Sequence, residues 1–309
     1  MKKLSGFCPH PFRTLGRPIA AEGVALHRST PKVMSALQRR TAHQTTPALR
    51  IGLVTDVHHT DKPGRSKPNH RRSLARLKHA ANRFRDQRVD FIIQLGDLIE
   101  GGGTKDREAH LLDKACRTRR SSGRELHSVL GNHCLQSLTK SECLSITASP
   151  APYYSFDKGG FHFVVLDANH NPDGSDYGDS NFKWYDAGLP GRQIDWLERD
   201  LAATGKPTFV FCHQRIDVGA HHPFGVRGAS STRAVLRESR KVVGVFQGHS
   251  HHNCARSIDG VHYTTLAAMV KGAGEKQNSF AVLEVFPGGA SQLLGFQLQR
   301  SYLLPARFS

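Results

Sequence analysis

The sequence predicts an α/β fold that is organised around a parallel sheet. Three apolar stretches, at 49–54, 89–95 and 126–130, alternate with two helix-like segments at 70–87 and 104–120. Apolar runs of this length are typical of strands buried on both faces, and their alternation with helices indicates parallel pairing. Polar side chains directly follow each of the three strands. Sheets of this kind bind ligands beyond the carboxyl ends of their strands, so we expect a site at that edge.

The first strand shows this pattern most clearly. The apolar run from Ile51 to Val54 is followed by Asp56, His58 and His59. A carboxylate and two imidazoles contribute little to packing at such a place. Residues two apart in an extended chain project to the same side, so Asp56 and His58 are expected to act together.

The helix predicted at 70–87 covers one face of this sheet. Its apolar stripe consists of Leu74, Leu77, Ala81 and Phe84. The opposite side is predicted to carry Arg71, Arg72, Arg76, Lys78, Arg83 and Arg85. Such a division between apolar and charged faces is typical of a helix on the surface of a globular protein. The next two strands end in Asp97 and Glu100, and in Asn132 and His133.

The second half of the chain contributes further strands. The runs 153–156 and 161–166 flank Asp157-Lys158-Gly159-Gly160, which predicts a hairpin. A surface insertion at 169–190, rich in Asn, Asp, Gly and Pro, contains Phe182, Trp184 and Tyr185. Helices are expected at 191–203 and 229–239, and strands at 208–211 and 241–246. The remainder predicts antiparallel strands at 254–258, 261–266, 279–286 and 292–299.

The basic charge of the chain is concentrated near its N-terminus. The 309 residues carry a net charge of +17, and residues 1–90 hold 19 of the 43 basic but only 5 of the 26 acidic residues. Nucleic-acid binding would use such a charge, but no aromatic residues are interleaved with it, which favours a solvated tail and one basic helix face. No apolar run approaches the ~20 residues of a membrane span.

The first 48 residues differ from the rest in composition. They are rich in Pro, Arg, Ser, Thr and His, and charged residues interrupt every candidate apolar core of a signal peptide. We expect a basic, poorly ordered tail at 1–48 and a single folded domain at 49–300. The six cysteines form no Cys-x-x-Cys pair, which predicts reduced thiols and a cytoplasmic protein. An exported protein with an unusual leader is the alternative.

Five predicted strands end in residues that bind metals. The set consists of Asp56 and His58, then Asp97, then Asn132 and His133, then His213, and finally His249 and His251. Mixed oxygen and imidazole ligands favour Mn, Fe or Zn over Ca and Mg. The set contains more ligands than one ion needs, which indicates two metals that share a carboxylate.

In this order, D-x-H, G-D-x-x-E, G-N-H, a lone His and G-H-x-H resemble the signature of the calcineurin-like metallophosphoesterases over residues 50–286. The resemblance implies a four-layer α/β/β/α sandwich with two mixed sheets. It implies that Asp56, His58 and His251 bind one ion and that Asn132, His213 and His249 bind the other, with Asp97 between them. The expected cofactors are two divalent ions, Mn or an Fe/Mn pair, with Zn as the alternative.

The same resemblance suggests catalytic roles for two further residues. His133 would be the general acid, and Glu100 stands where the family often has a carboxylate that orients this histidine. One departure concerns the position after G-N-H, where many relatives have an acid and this chain has Cys134. Candidates for contact with the substrate are His59, Gln214, Arg215 and His222, and less specifically His221 and His252. The loops 169–190 and 214–228 are predicted to lie on the substrate side.

These residues predict a phosphoesterase that uses a metal-bridged hydroxide. The runs G-R-Q-I-D-W-L-E-R-D-L, F-C-H-Q-R and V-F-Q-G-H-S-H-H-N are similar to the branch of manganese-dependent ADP-ribose/CDP-alcohol diphosphatases. This similarity implies a small phosphorylated substrate such as a nucleoside-diphosphate derivative. A phosphomonoesterase or phosphodiesterase of the same fold is the first alternative. A nucleic-acid-associated protein that uses the basic N-terminal third and a non-catalytic metal-binding scaffold are the others.

Overall fold

The computed structural model describes residues 14–15, 46–61, 70–181, 183–272 and 277–306. Its strands, in chain order, are β1 (Thr14–Leu15), β2 (Leu49–Val54), β3 (Phe91–Leu95), β4 (Glu125–Val129), β5 (Tyr154–Lys158), β6 (Phe161–Val165), β7 (Thr208–Phe211), β8 (Val242–Gln247), β9 (Cys254–Ile258), β10 (Val261–Thr265), β11 (Ser279–Val285), β12 (Ser291–Gln297) and β13 (Ser301–Leu304). The helices are α1 (Ser73–Asp86), α2 (Lys105–Arg120), α3 (Lys140–Thr147), α4 (Gly191–Ala203) and α5 (Ala229–Glu238). Within these ranges, no helix has the length and apolar character needed to cross a bilayer.

Two mixed sheets form the centre of the molecule. In the described residues the first sheet has the strand order β1-β13-β12-β11-β2-β3-β4, and the second has the order β5-β6-β7-β8-β10-β9. The strands β2, β3 and β4 are parallel, as the sequence predicts, and so are β6, β7, β8 and β10. The carboxyl ends of these parallel strands therefore lie along one edge of each sheet.

The sheets pack face to face, and helices cover their outer faces. Aromatic side chains from both sheets fill the space between them; the rings of Phe91 and Phe163, for example, have centroids 5.2 Å apart. Outside the first sheet, Phe84 of α1 packs directly on Gly52 of β2, where an added Cβ would lie 2.9 Å from the ring. The expected four-layer α/β/β/α arrangement is confirmed, and its helices form two groups, since α2 contacts α1 and α3 whereas α4 contacts α5.

The hairpin signal at 157–160 produces a two-residue turn. Lys158 of β5 pairs with Phe161 of β6, and the intervening Gly159 and Gly160 have φ angles of 57° and 85°. Both residues of a type I′ turn require positive φ, which glycine adopts without steric cost. The strand β6 then pairs in parallel with β7 on its other side, so its carboxyl end reaches the same edge as the predicted ligands.

Three local features differ from the sequence-based expectations. Arg76, predicted on the exposed side of α1, is only 4% exposed and donates hydrogen bonds to four carbonyl groups of residues 269–272. Helix α3 was missed, although Thr139 and Glu142 form a capping box at its start. The strand β13 pairs with β12 beyond the boundary predicted at residue 300.

Little of the predicted tail can be compared with the structure. The short strand β1 pairs antiparallel with β13, whereas residues 1–13 and 16–45 lie outside the described residues. Four cysteines, Cys116, Cys134, Cys143 and Cys212, are free and buried. Cys254 forms a disulfide, so the prediction of a reduced thiol is wrong at this position.

Candidate metal centre

The loops after β2 and β3 run side by side and continue the pairing of these two strands. The backbone N–H groups of Asp56 and His58 donate to the carbonyl oxygens of Gly96 and Asp97, at 3.2 and 3.0 Å. Asp56, His58 and Asp97 all have φ angles near 50°, in the left-handed region. Residues other than glycine rarely adopt this backbone conformation. They keep it mainly at functional sites, where the surrounding hydrogen bonds enforce it.

The end of β4 is packed against Asp97. The backbone N–H of His133 donates to Asp97 Oδ1 at 2.9 Å. Gly131 permits this approach, since an added Cβ would lie 2.0 Å from the nitrogen of Asp97. The short 3₁₀ turn Asn132–Leu135 then directs Asn132 into the interior, where its side chain is completely buried.

The second sheet supplies three histidines to the same place. His213 follows β7, and His249 and His251 follow β8, with left-handed φ angles of 65° and 61° at the last two. The backbone N–H of His249 donates to Asp56 Oδ2 at 3.1 Å, which joins the two sheets directly at the site. The five strand ends that carry the predicted ligands are therefore adjacent in space.

The first cluster consists of Asp56, His58 and His251. The Nε2 atoms of the two histidines are 3.0 Å apart, and they lie 3.5 and 3.2 Å from Asp56 Oδ1. Asp97 Oδ2 is 3.7 Å from His58 Nε2, so its carboxylate borders this cluster. The ligand atoms of the three residues all lie within 4.8 Å of one another, so one cation could contact all three.

The second cluster consists of Asp97, His213 and His249. His213 Nε2 lies 3.1 Å from Asp97 Oδ2, and all three side chains are buried. Both polar atoms of the Asn132 side chain are buried without a hydrogen-bond partner among the described residues. His249 Nε2 is likewise buried without a hydrogen-bond partner among the described residues. Because Asp97 borders both clusters, the arrangement has the two-centre form that the sequence predicts.

The tautomers of two histidines indicate that a cation fits here. His213 Nδ1 bonds the carbonyl oxygen of Leu95 at 2.7 Å, and His58 Nδ1 lies 2.5 Å from Glu100 Oε2. Both partners are acceptors, so Nδ1 carries the proton in each neutral ring and Nε2 presents a lone pair. These lone pairs face carboxylate oxygens. Such convergence of electron pairs is unfavourable unless a proton or a metal ion lies between them, and borderline divalent ions accept this donor set.

The pKa shifts of the site residues are consistent with a cation-binding site. Burial would raise the pKa values of Asp56 and Asp97, but the surrounding histidines outweigh it and lower both pKa values below the usual range. Burial opposes charge on His58, yet Asp56, Glu100 and Asp97 raise its pKa to about 10. In contrast, burial and His213 lower the pKa of His249 to about 3. Asp56 and Asp97 are therefore ionised, which is the form of a carboxylate that binds a cation.

Glu100 contacts a different histidine from the one expected. Its Oε2 lies 2.5 Å from His58 Nδ1 but 4.0 Å from His133 Nδ1. The geometry is that of a carboxylate–histidine–metal arrangement, in which the carboxylate fixes the tautomer of a ligand. His133 itself is 30% exposed at the mouth of the site, with its ring edge-to-face against His58 at 4.9 Å. Glu100 therefore has no direct hydrogen bond to His133 in this structure.

The four predicted substrate contacts have other partners. His59 is buried against α1, where it bonds Ser73 at 3.2 Å and burial lowers its pKa to about 4. Gln214 is completely buried and donates to Asn169 at 2.8 Å. These two side chains therefore do not face the site opening.

The guanidinium group of Arg215 also forms an ion pair within the protein. Its Nε and Nη2 atoms donate to the two carboxylate oxygens of Asp217, at 2.9 and 2.6 Å. His222 accepts from the backbone N–H of Phe224 at 3.2 Å and lies beside that ring, which is 5.6 Å from His249. His222 is thus connected to His249 through the ring of Phe224.

Sequence reasoning missed several residues that surround the centre. His70 donates from Nδ1 to the carbonyl oxygen of His58, and its Nδ1 lies 4.0 Å from Glu100. Asn169, after β6, donates to the carbonyl oxygen of Leu130 at 2.9 Å, two residues before Asn132. The signal for Asn169 was the same as for the ligands, a polar residue after an apolar strand. It was overlooked because the hairpin signal suggested antiparallel pairing only.

The insertion at 169–190 brings aromatic side chains to the site. Trp184 and Tyr185 are 44% and 52% exposed, and the Trp184 ring is 6.2 Å from His249. Phe224, from the 214–228 loop, lies 5.9 Å from Trp184. Phe182 lies outside the described residues. Both loops that the sequence predicts on the substrate side thus reach His249.

Comparisons with known proteins agree with this geometry. The family model of the calcineurin-like phosphoesterases matches residues 49–253. The manganese-dependent ADP-ribose/CDP-alcohol diphosphatase of Oryza sativa subsp. japonica is 26% identical over 293 residues, which cover 80% of this chain and 91% of that protein. The protein of the same name from Danio rerio is 24% identical, with 71% and 87% covered.

Solved structures share the fold. A dimetal phosphatase from Danio rerio superposes with a TM-score of 0.72 at 19% identity, over 84% of this chain and 99% of that one. The purple acid phosphatase PPD1 from yellow lupin gives a TM-score of 0.58 at 14% identity, over 85% and 55% of the two chains. Because the family model spans about two thirds of the sequence and includes all five strand ends, this chain belongs to the calcineurin-like phosphoesterase family and is a hydrolase that acts on phosphoester bonds.

Proposed function

We propose that this protein hydrolyses the diphosphate bond of a small nucleoside-diphosphate derivative such as ADP-ribose. The proposal assigns Asp56, His58 and His251 to one divalent ion, and Asn132, His213 and His249 to a second. Asp97 is shared between the two. The supporting observation is the pair of adjoining clusters with buried atoms directed at common points. The preference for manganese follows from the names of the curated relatives.

Two ions bound in these clusters would lower the pKa of a water molecule and neutralise charge on phosphoryl oxygens. Side chains of the protein orient the ligands and supply the proton for the leaving group. His213 presents Nε2 because its Nδ1 donates to the carbonyl oxygen of Leu95, and Glu100 Oε2 lies 2.5 Å from His58 Nδ1. His133, exposed at the mouth, is the proposed general acid that donates a proton to the leaving oxygen, a role suited to an imidazole at neutral pH.

The surroundings of the site favour a substrate with an aromatic part. Trp184, Tyr185 and Phe224 are close to His249, and two of them expose about half of their surface. Exposed aromatic rings beside a phosphate site offer faces on which a nucleobase can stack. A nucleoside monophosphate such as AMP would use these rings as well, so they support a nucleotide substrate in general. The diphosphate bond in the proposal is supported by the names of the curated relatives.

The proposal is tested with purified protein and a panel of substrates. ADP-ribose, CDP-choline, AMP and bis(p-nitrophenyl) phosphate are assayed with Mn²⁺, Fe²⁺, Zn²⁺ and Mg²⁺. We expect ADP-ribose to give AMP and ribose 5-phosphate, at the highest rate with Mn²⁺. Turnover of the monoester alone would replace the proposal with a phosphomonoesterase. Nucleic-acid binding stays a prediction, because most of the basic tail lies outside the described residues.

A ligand variant tests the shared metal site itself. Substitution of a residue that only supports a metal ligand typically lowers activity or metal affinity about 10–100-fold. Asp97→Ala removes a ligand itself and should therefore lower turnover by more than about 100-fold. Bound metal, measured by mass spectrometry, should fall from two ions towards one or none. Asp113→Ala, in an exposed ion pair on α2, is the matched control. Normal turnover in metal-loaded Asp97→Ala would refute the two-metal assignment.

A further inference from the structure

We propose that Lys271 binds the phosphoryl group of the substrate that is not attacked. This inference rests on the diphosphate substrate of the proposed function. A diphosphate carries negative charge on both of its phosphoryl groups, and in the proposed reaction the two ions would bind the one that is attacked. The second group needs a cation of its own, since an unpaired charge in a partly buried site is costly. Lys271 has the position, the rigidity and the free charge for this task.

The backbone next to Lys271 is bonded to the metal centre. The segment that follows β10 runs past the end of β2, where the N–H of Met269 donates to the carbonyl oxygen of Thr55 at 3.1 Å. The N–H of Val270 donates to the carbonyl oxygen of Asp56 at 3.0 Å. Lys271 is therefore the next residue along the chain from one that is bonded to a proposed ligand of the first ion.

A buried arginine fixes this segment. Arg76 Nη1 donates to the carbonyl oxygens of Met269, Val270 and Lys271 at 3.0, 3.2 and 3.1 Å, and Nη2 donates to that of Gly272 at 2.8 Å. Four successive carbonyl groups on one guanidinium leave the backbone little freedom. The base of the Lys271 side chain is thus set before any substrate binds, and preorganisation of this kind lowers the entropic cost of binding.

The ammonium group is oriented by a histidine beside the first cluster. His252 donates from Nδ1 to the carbonyl oxygen of Ser250 at 2.6 Å, so its Nε2 carries the lone pair in the neutral ring. Lys271 Nζ donates to this Nε2 at 2.8 Å. An ammonium donates up to three hydrogen bonds, and a neutral imidazole accepts one without cancelling the positive charge. His252 directly follows His251, and the Lys271 ammonium group interacts electrostatically with Asp56 of the first cluster.

The nearby arginines do not offer the same charge. Arg215, the cation that the sequence suggested for phosphate, forms a two-point ion pair with Asp217. Arg256 Nε also lies 3.0 Å from Asp217 Oδ2. The two guanidinium groups share this one carboxylate, so the three side chains keep one net positive charge, but Asp217 holds both guanidinium groups in place. Lys271 is bound to a neutral ring instead, which distinguishes it from both.

The test measures binding without turnover. Isothermal titration calorimetry compares AMP with α,β-methylene-ADP, a diphosphate that resists hydrolysis, on the full chain loaded with Mn²⁺. A charged hydrogen bond to a half-exposed lysine should make the diphosphate bind about tenfold tighter than AMP. In Lys271→Gln this difference should largely disappear, whereas AMP affinity changes little. Lys271→Arg should retain most of the difference, and Lys206→Gln, at the amino end of β7, should match the wild type.

The two proposals fail in different ways. If Lys271→Gln keeps the tenfold preference for α,β-methylene-ADP, the role of Lys271 is refuted whatever the protein hydrolyses. If the preference disappears but ADP-ribose is not hydrolysed, Lys271 binds a second phosphoryl group and the proposed reaction is wrong. If ADP-ribose is a substrate, its KM should rise about tenfold in Lys271→Gln while kcat changes little. A fall in kcat alone would show a structural role for Lys271 and contradict the proposal.

Discussion

Replacement of Glu100 by alanine distinguishes two possible roles of this carboxylate. The structure has Glu100 Oε2 at 2.5 Å from His58 Nδ1 and at 4.0 Å from His133 Nδ1. If the contact with His58 is the important one, Glu100→Ala frees the ring of a metal ligand to rotate or to change tautomer. The first effect should then be a weaker affinity for the ion bound by Asp56, His58 and His251.

The magnitude follows from the exposure of the two partners. A hydrogen bond to a charged group contributes about 1.5–3 kcal/mol, and the imidazole is buried. Glu100 is 35% exposed, so water screens part of this interaction and we expect about 1.4 kcal/mol, or a tenfold weaker affinity. This value lies within the range of about 10–100-fold that is typical of residues that support metal ligands.

Titration of metal-free protein with Mn²⁺ by calorimetry or electron paramagnetic resonance measures this affinity. Glu100→Gln keeps an acceptor oxygen near His58 Nδ1 and should recover part of the loss. Glu142→Ala, in the capping box of α3, removes a carboxylate away from the site and is the matched control. The reasoning is refuted if Mn²⁺ affinity is unchanged while turnover falls only for poor leaving groups. That result would mean that Glu100 supports His133, the proposed acid, as the family resemblance suggested.

Two further predictions concern stability. His162 is bonded to two carboxylates, which outweigh burial and raise its pKa, so the stabilisation is complete below the unfolded-state pKa of about 6.5 and is lost as pH rises through the folded-state pKa. His162→Gln should therefore lower the free energy of unfolding in urea by about 1–2 kcal/mol at pH 5.5 and by less at pH 8.5, and an equal loss at both would contradict this. Lys140→Met should cost about 3–5 kcal/mol, because it leaves the charge of Asp167, which is completely buried, without its partner at 2.6 Å. The double variant with Asp167→Asn should recover much of that loss in the same assay, and no recovery would refute the charge argument.

The positions of the ligand-bearing strand ends could be predicted from the sequence because a single rule governs them. Parallel strands present their carboxyl ends at one edge, so polar residues after apolar runs converge whatever lies between them. The ends of β2, β3, β4, β7 and β8 all follow this rule. The partners of individual side chains could not be predicted, because they depend on neighbours that are distant in sequence. The contact of Arg76 with residues 269–272 joins positions almost 200 residues apart.

The omissions have a common physical cause. The strands β6 and β10 follow hairpin signals and pair antiparallel with β5 and β9, as predicted, but each also pairs in parallel on its other side. A turn sequence reports only on the strand that it connects and carries no information about the opposite neighbour. The sequence signals therefore do not predict that the carboxyl ends of β6 and β10 reach the metal centre. Asn169 follows β6 and donates to the carbonyl oxygen of Leu130, close to Asn132. Lys271 lies in the segment after β10 and contacts His252.

These two strand ends give the site properties that the ligand set lacks. The seven proposed ligands define where two ions and one phosphoryl group would bind. Selectivity must come from the side chains around them, because only those side chains contact the rest of the substrate. We propose that in this chain they are Trp184 and Phe224, with aromatic faces near His249, and Lys271, with a positive charge beside His252. A base at one side and a second phosphate at the other are the two ends of a nucleoside diphosphate, which is why the chemistry of the rim and the proposed substrate support each other.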